Sequence, residues 1–147
     1  MKPMITLLAI LAFSGMTTSC KLQQFEPESI TVTSDAAVVE FNLETRIVDG
    51  HMVFVGRGAE IDGVVNPDLL VQAGRSVRLR ITNEDGIPHD LFIAELNVQV
   101  ALVSERGLTT EKNFAVSDAQ AGTYSYFCTV SGHRQLGMEG KLIIVES

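Results

Sequence analysis

The sequence has few of the residues on which several protein classes depend. It contains two cysteines and three histidines among 147 residues, and 11 basic against 18 acidic side chains, for a net charge of −7. Two cysteines do not make a disulfide framework, and an acidic chain without a lysine or arginine cluster has no electrostatic footprint for nucleic acid. The acidity either favours basic partners or serves only solubility.

Motifs of common enzyme classes are missing as well. The stretch GRGAEIDG lacks the third glycine of a dinucleotide fingerprint, and neither a P-loop nor a G-x-S-x-G elbow occurs. Apolar residues, in contrast, are plentiful at 46% of the chain. That content is enough for the core of one domain without metal or disulfide staples.

The first twenty residues, MKPMITLLAILAFSGMTTSC, have the layout of a secretory signal peptide. Lys2 precedes the apolar run from Ile5 to Phe13, and small and polar residues follow it. The run is too short to span a bilayer, and a buried N-terminal helix is the less favoured alternative because it does not require this order. Residues 1–20 therefore predict export to the periplasm or the cell envelope.

Cys20 closes this segment and admits three interpretations. Its surroundings resemble the lipobox of bacterial lipoproteins, which implies a lipid anchor at Cys20, although Thr17 stands where an apolar residue is usual. Cleavage without lipidation is the second interpretation, and a disulfide with Cys128 is the third and least favoured. Residues 21–36 are polar, contain Pro27 and are predicted to form a tether.

From residue 37 onward, short β-patterned runs alternate with turns. Asp49-Gly50 predicts a hairpin, and VRLRI alternates apolar and basic residues as a half-buried strand does. The periodicity of LFIAELNVQVALV allows a helix or a strand, and its Ile and Val content favours a strand with an uncertain connection. KLIIVES predicts a fully buried strand. About seven short strands and no long helix predict an all-β, antiparallel β-sandwich that forms a single domain over residues 37–147.

One loop near the C-terminus concentrates metal-binding side chains. YFCTVSGHRQLGMEG carries Cys128, His133 and Met138 with four residues between successive members, and the turn in ITNEDGIPHDLFI carries His89. Taken singly, each of these residues is more simply explained as a core residue or a hydrogen-bonded polar residue. One metal site, however, explains all four together. A thiolate, two imidazoles and a weak thioether suit copper, whereas zinc usually takes four strong ligands.

These motifs resemble the cupredoxins, the blue copper family, across residues 38–147. His89, Cys128, His133 and Met138 match the family's ligand positions, and the loop spacing is similar to that in the rusticyanin, sulfocyanin and auracyanin branches. The stretch EIDGVVNPDLLVQAGRSVRLRITNEDGIPHD is also similar to the first domain of copper nitrite reductases.

The resemblance implies a Greek-key sandwich with one type 1 copper ion that cycles between Cu(I) and Cu(II). The implied role is an electron carrier between extracytoplasmic redox proteins, such as a cytochrome or a copper oxidase, and not an enzyme. His133 would be the electron port, beside an apolar patch of Leu136 and Ile87 or Pro88. His51 has no partner pattern and is expected on the surface.

Two positions depart from the family. Asp90 follows the first ligand where many members have an asparagine that ties the two ligand loops, and Ser131 stands where a proline often occurs. A carboxylate near copper stabilises Cu(II) and lowers the reduction potential if it is ionised and points inward. Both departures therefore concern the potential and not the identity of the metal.

Three alternatives stay open at this level. Copper storage or delivery is disfavoured because trafficking sites are usually rich in methionine or paired cysteines, whereas the chain after its leader has only Met52 and Met138. A role as a domain of a nitrite reductase or multicopper oxidase would need another chain, since a single histidine remains for a second centre. A non-blue site could use Glu139 or Asp90.

Overall fold

The computed structural model describes residues 38–147, and all of the strand predictions fall within them. The predicted signal peptide at 1–20, the predicted lipid-anchor residue Cys20 and the predicted tether at 21–36 lie outside the described residues. The part of the chain that the structure describes forms nine strands: β1 (Val38–Val48), β2 (His51–Arg57), β3 (Asp68–Gln72), β4 (Ser76–Asn83), β5 (His89–Ile93), β6 (Val98–Val103), β7 (Thr109–Ala115), β8 (Gly122–Phe127) and β9 (Glu139–Val145).

The strands form two sheets, one in the order β2-β1-β4-β7 and the other in the order β3-β9-β8-β5-β6. Within residues 38–147 the helical segments are three-residue 3-10 turns, at Ala59–Ile61, Ala94–Leu96 and Asp118–Gln120. Most pairings are antiparallel, while β1 with β4 and β3 with β9 run parallel because the chain crosses between sheets before each pairing. The predicted all-β sandwich is confirmed.

The local patterns explain the strands. Val48 pairs with His51 around Asp49 and Gly50, which both have positive φ, as a tight hairpin turn requires. In β4 the apolar positions face the core and the arginines face outward, where Arg80 lies 2.8 Å from Glu111. These side-chain alternations decide which face of each sheet is buried.

The core lies between the two sheets and supplies most of the stabilising free energy. Its fully buried members include Leu43, Leu79 and Ile81 from the first sheet and Leu69 and Leu91 from the second. Burying each such side chain contributes about 1.5–3 kcal/mol. A rigid sandwich of this kind can hold loops at its end in fixed positions.

The last strand corrects one prediction. KLIIVES was expected to be buried on both faces, but β9 alternates: Leu142 and Ile144 are buried, while Lys141 and Val145 are exposed. Only one face of the sheet packs against the opposite sheet, and the other face meets solvent. The apolar run therefore covers both a core face and part of the surface.

Strand order brings the predicted ligands to one end of the sandwich. Phe92 of β5 pairs with Phe127 of β8, so the start of β5 lies beside the end of β8. His89 is the first residue of β5, and Cys128 follows β8 directly. The loop after Cys128 returns to β9, which pairs with β8 along its whole length. None of the helices in residues 38–147 is long and apolar enough to cross a membrane.

Candidate metal centre

The loop of residues 128–138, called the ligand loop below, closes on itself. The backbone N–H of Cys128 donates to the carbonyl of Met138 at 3.2 Å, and the N–H of Met138 donates to the carbonyl of His133 at 3.1 Å. A turn between them forms where the N–H of His133 donates to Val130 at 3.1 Å. These bonds draw the three predicted loop ligands toward one point.

Three donor atoms converge there. His89 Nδ1 lies 3.9 Å from Cys128 Sγ, His133 Nδ1 lies 3.5 Å from the same sulfur, and the two Nδ1 atoms are 3.1 Å apart. The three side chains are buried, and their ligand atoms all lie within 4.8 Å of one another. Among residues 38–147 this is the group of histidine, cysteine and carboxylate side chains placed to hold a metal ion.

The separations fit one small ion. Bonds of about 2.0–2.3 Å to three donors in a trigonal plane would place those donors about 3.5–3.8 Å apart. The observed range of 3.1–3.9 Å lies around that value. One thiolate and two imidazoles in a dry pocket are a donor set that copper accepts.

Met138 completes the predicted set at the end of the ligand loop. Its side chain is fully buried and belongs to the hydrophobic core, beside the buried Cys128. A thioether is a soft and weak donor, so its position depends on the backbone that carries it. Its role as the fourth ligand stays a prediction.

Asp85 holds the far side of His89, and sequence reasoning missed it. Both carboxylate oxygens lie 3.0 Å from His89 Nε2, which must donate because a carboxylate only accepts. Burial lowers the pKa of His89, while the charge of Asp85 and its hydrogen bond oppose that shift. The sequence signal that could have identified Asp85 was a carboxylate four residues before the histidine in NEDGIPH.

Asp90, the residue after His89, is hydrogen-bonded to the ligand loop. The cupredoxin resemblance implies that an asparagine is usual in this role. Its Oδ1 accepts the backbone N–H of Thr129 at 2.6 Å, its Oδ2 accepts Gln99 Nε2 at 3.0 Å, and the Thr129 hydroxyl also donates to Oδ2. The carboxylate therefore points toward Thr129, one residue after Cys128. The departure at position 90 preserves the connection and changes the charge beside it.

Two opposing effects act on the pKa of the Cys128 thiol. Burial raises its pKa to about 11, while hydrogen bonds from the backbone N–H groups of Asp90 and Val130 act to lower the pKa. Within residues 38–147, Cys128 is a free, buried cysteine. The N–H groups point at the sulfur where a thiolate would carry its charge, so they favour the form that binds a metal.

The remaining predicted neighbours are placed around the loop. Leu136 and Pro88 are exposed, Ile87 is half-buried, and His133 is 7% exposed. Glu139 is held by Arg134 at 2.9 Å and by Ser125, and it is not part of the donor cluster. Ser131 is exposed within the loop.

His51 is exposed, as predicted, but it has a partner that sequence reasoning missed. Its Nδ1 lies 3.2 Å from the carbonyl of Leu136 in the ligand loop. Asn66 was missed as well, although its Nδ2 donates to the carbonyl of Gly137 at 2.7 Å. The residue pairs are 85 and 71 positions apart in the chain, so no local pattern reveals them.

The fold and the cluster together define a class of protein. Residues 60–144 match the family described as "Cupredoxin-like domain", and the chain belongs to that family. This agrees with the donor set, and family and donors together indicate copper as the metal. A comparison with curated protein sequences gives no significant match.

Solved structures agree on the fold. Rusticyanin from Thiobacillus ferrooxidans is 25% identical, with a TM-score of 0.53 over 74% of this chain and 77% of that one. Auracyanin B is 19% identical, with a TM-score of 0.53 over 78% and 93% of the two chains. The multicopper oxidase McoA from Aquifex aeolicus is 20% identical, with a TM-score of 0.53, and the match covers 74% of this chain but only 26% of the oxidase.

Proposed function

We propose that the protein is a type 1 copper protein that carries single electrons between extracytoplasmic redox partners. The observation that supports this most directly is the convergence of Cys128 Sγ with the Nδ1 atoms of His89 and His133 in a buried pocket. With Met138 as the fourth donor, the set would be His2CysMet. Copper in such a site supplies a one-electron Cu(II)/Cu(I) couple.

The residues hold a geometry that serves both oxidation states. The ligand loop closes through hydrogen bonds within its own backbone. Asp85 holds the His89 ring by a hydrogen bond to Nε2, and Asp90 accepts the backbone N–H of Thr129. Because the donors are already in place, little has to rearrange when the charge of the site changes. Four donors leave no position for a substrate, which favours a carrier over an enzyme.

The electron route that we propose passes through His133. His133 is 7% exposed, whereas His89 is fully buried, so His133 is the predicted histidine ligand nearer to solvent. Leu136 is exposed three residues further along the same loop. An apolar contact of this kind suits a brief encounter with another redox protein, such as a cytochrome or a copper oxidase.

The proposed extracytoplasmic location rests on the leader-like residues 1–20. A charged residue, a short apolar run and small residues before Cys20 support export to the periplasm or cell envelope. A lipid anchor at Cys20 would keep the carrier at the membrane surface, and mass spectrometry of the exported protein distinguishes the lipidated from the cleaved form.

One experiment tests the proposed function. The purified protein is loaded with Cu(II), and its visible spectrum and cyclic voltammogram are recorded. We expect one copper per chain, intense thiolate-to-copper absorption that disappears on reduction, and a reversible one-electron wave. Cys128→Ser should abolish the absorption, while Ser131→Ala, in the same loop but outside the donor set, should keep it. A colourless protein that holds only Cu(I) would instead support copper delivery.

A further inference from the structure

Two successive carbonyl groups of the ligand loop are held by side chains from outside the loop. Asn66 Nδ2 donates to the carbonyl of Gly137 at 2.7 Å, and His51 Nδ1 lies 3.2 Å from the carbonyl of Leu136. The next residue is Met138, which is fully buried. The backbone just before Met138 is therefore held by two hydrogen bonds. One comes from His51 in β2, and the other comes from Asn66 in the segment between β2 and β3.

Asn66 is itself anchored to the core. Its Oδ1 accepts the backbone N–H of Phe54 at 3.0 Å, and its own N–H donates to the carbonyl of Phe54 at 2.6 Å. Phe54 is fully buried in β2. The orientation of the carboxamide is unambiguous, because one partner can only donate and the other can only accept.

His51 contacts the carbonyl of Leu136, the residue before Gly137. A carbonyl oxygen only accepts, so Nδ1 of His51 must carry the proton in this contact. The ring also lies beside Gly137, where an added Cβ would come 3.7 Å from Nδ1. Gly137 has φ +101°, a conformation that side-chain-bearing residues rarely adopt, so the turn before Met138 is specified by sequence as well as by contacts.

We propose that Asn66 and His51 are positioning residues that set how closely the Met138 thioether approaches the cluster of His89, Cys128 and His133. This rests on the proposed function, in which Met138 is the axial donor. Because a bond from copper to a thioether is long and weak, the backbone that carries Met138 can determine its length. Two hydrogen bonds, from Asn66 and His51, hold that backbone at Gly137 and Leu136.

The variants can be matched closely. Asn66→Asp keeps the size of the side chain and the acceptor for Phe54 N–H, but it replaces the donor facing Gly137 with an oxygen. His51→Phe keeps a ring and removes the donor. His51→Asn places an amide nitrogen at the same number of bonds from the backbone as Nδ1, and it is the conservative control.

The first measurement uses the full chain without metal. Backbone amide hydrogen exchange is followed by NMR, with attention to Met138 and Cys128, whose N–H groups are bonded within the loop. We expect exchange at these amides to be faster by about tenfold in Asn66→Asp and His51→Phe, the size of effect that one lost hydrogen bond produces. His51→Asn should match the parent. Unchanged exchange, or an equal increase throughout β2 and β4, would overturn the proposal.

The second measurement uses the copper-loaded protein. Asn66→Asp and His51→Phe should retain one copper per chain but change the relative intensities of the thiolate-to-copper absorption bands, and crystal structures should show a changed distance from Met138 Sδ to copper. Parent-like spectra and distances in both variants would overturn the proposal. If the parent protein never becomes coloured, the proposed function fails, whereas the exchange experiment still decides whether the two side chains restrain the loop.

Discussion

Both carboxylate oxygens of Asp85 lie 3.0 Å from Nε2 of His89, on the side of the ring opposite to the donor cluster. The pair fixes the tautomer: Nε2 carries the proton, so Nδ1 is free to bind a metal. Asp85 is in turn held by the N–H of Ile87, which donates to Oδ1 at 2.8 Å. A charged acceptor of this kind makes the imidazole a stronger donor, which favours Cu(II).

Asp85→Asn should raise the reduction potential while keeping the absorption. The amide oxygen can still accept from Nε2, so the ring keeps its orientation, but the negative charge is lost. We expect weaker Cu(II) binding by about 10- to 100-fold, the usual effect of losing such a partner, and each tenfold loss specific to Cu(II) raises a one-electron potential by about 59 mV. Voltammetry measures the shift. An unchanged potential would mean that the carboxylate charge has no influence on the metal.

Met138→Leu should keep the colour and raise the reduction potential. Leucine has nearly the volume of methionine, so the core should repack at a cost below about 1.5 kcal/mol. Removal of the thioether leaves three donors, a coordination that Cu(I) tolerates better than Cu(II). Met52→Leu, at the other methionine of the described domain, is the matched control and should leave the potential unchanged. Loss of the metal from Met138→Leu would show that this residue does more than supply a weak axial bond.

Asp90→Asn should also raise the potential, with little change in the spectrum. Asparagine can accept from the N–H of Thr129 through its oxygen and meet the hydroxyl through its amide, so the tie between the two ligand loops survives. The substitution removes one negative charge next to the predicted ligands. It also removes the acceptor for Gln99 Nε2, because an amide nitrogen cannot accept a hydrogen bond. The comparison with Asp85→Asn by voltammetry is informative, because the two carboxylates approach the site from different sides. A lower potential in Asp90→Asn would contradict this account.

Gly140→Ala should destabilise the protein through a collision with Tyr126. The two residues are cross-strand partners, and a Cβ at position 140 would overlap the Tyr126 ring. The ring cannot move easily, since it is fully buried and its hydroxyl donates to the carbonyl of Pro67 at 2.7 Å. Overpacking of this kind costs about 1–3 kcal/mol, measurable by urea unfolding. Combined with Tyr126→Leu, the two costs should be less than additive; full additivity would rule out the clash.

Acid should lower the folding stability of the protein, in part by protonating Glu44. Burial acts to raise the pKa of this carboxyl, but hydrogen bonds from Arg57 and Arg46 outweigh it, so the folded pKa is lowered from 4.5. A lowered folded pKa means that the stabilisation is present above the unfolded pKa and is lost as pH falls through the folded one. The stability difference between the parent and Glu44→Gln should be at most about 1 kcal/mol at neutral pH and should disappear in acid.

The sequence by itself determined the elements that depend on neighbours along the chain. Alternation in VRLRI, the Asp49-Gly50 turn and the spacing of Cys128, His133 and Met138 are local properties, and they predicted the sandwich and the ligand loop. In KLIIV the same local reasoning was wrong about burial, because an apolar run does not state whether one or both faces of its strand are covered.

The tertiary structure decided everything that required distant residues to meet. The pairing of β5 with β8 brings His89 to the ligand loop, and only the folded chain places Asn66 and His51 against the carbonyls before Met138. Such contacts leave no periodic trace, since they depend on strand order and on the direction of single side chains. Candidate metal ligands can be proposed from one loop and one turn of the sequence, whereas the residues that hold these candidates in place are defined only by the packing of the sheets.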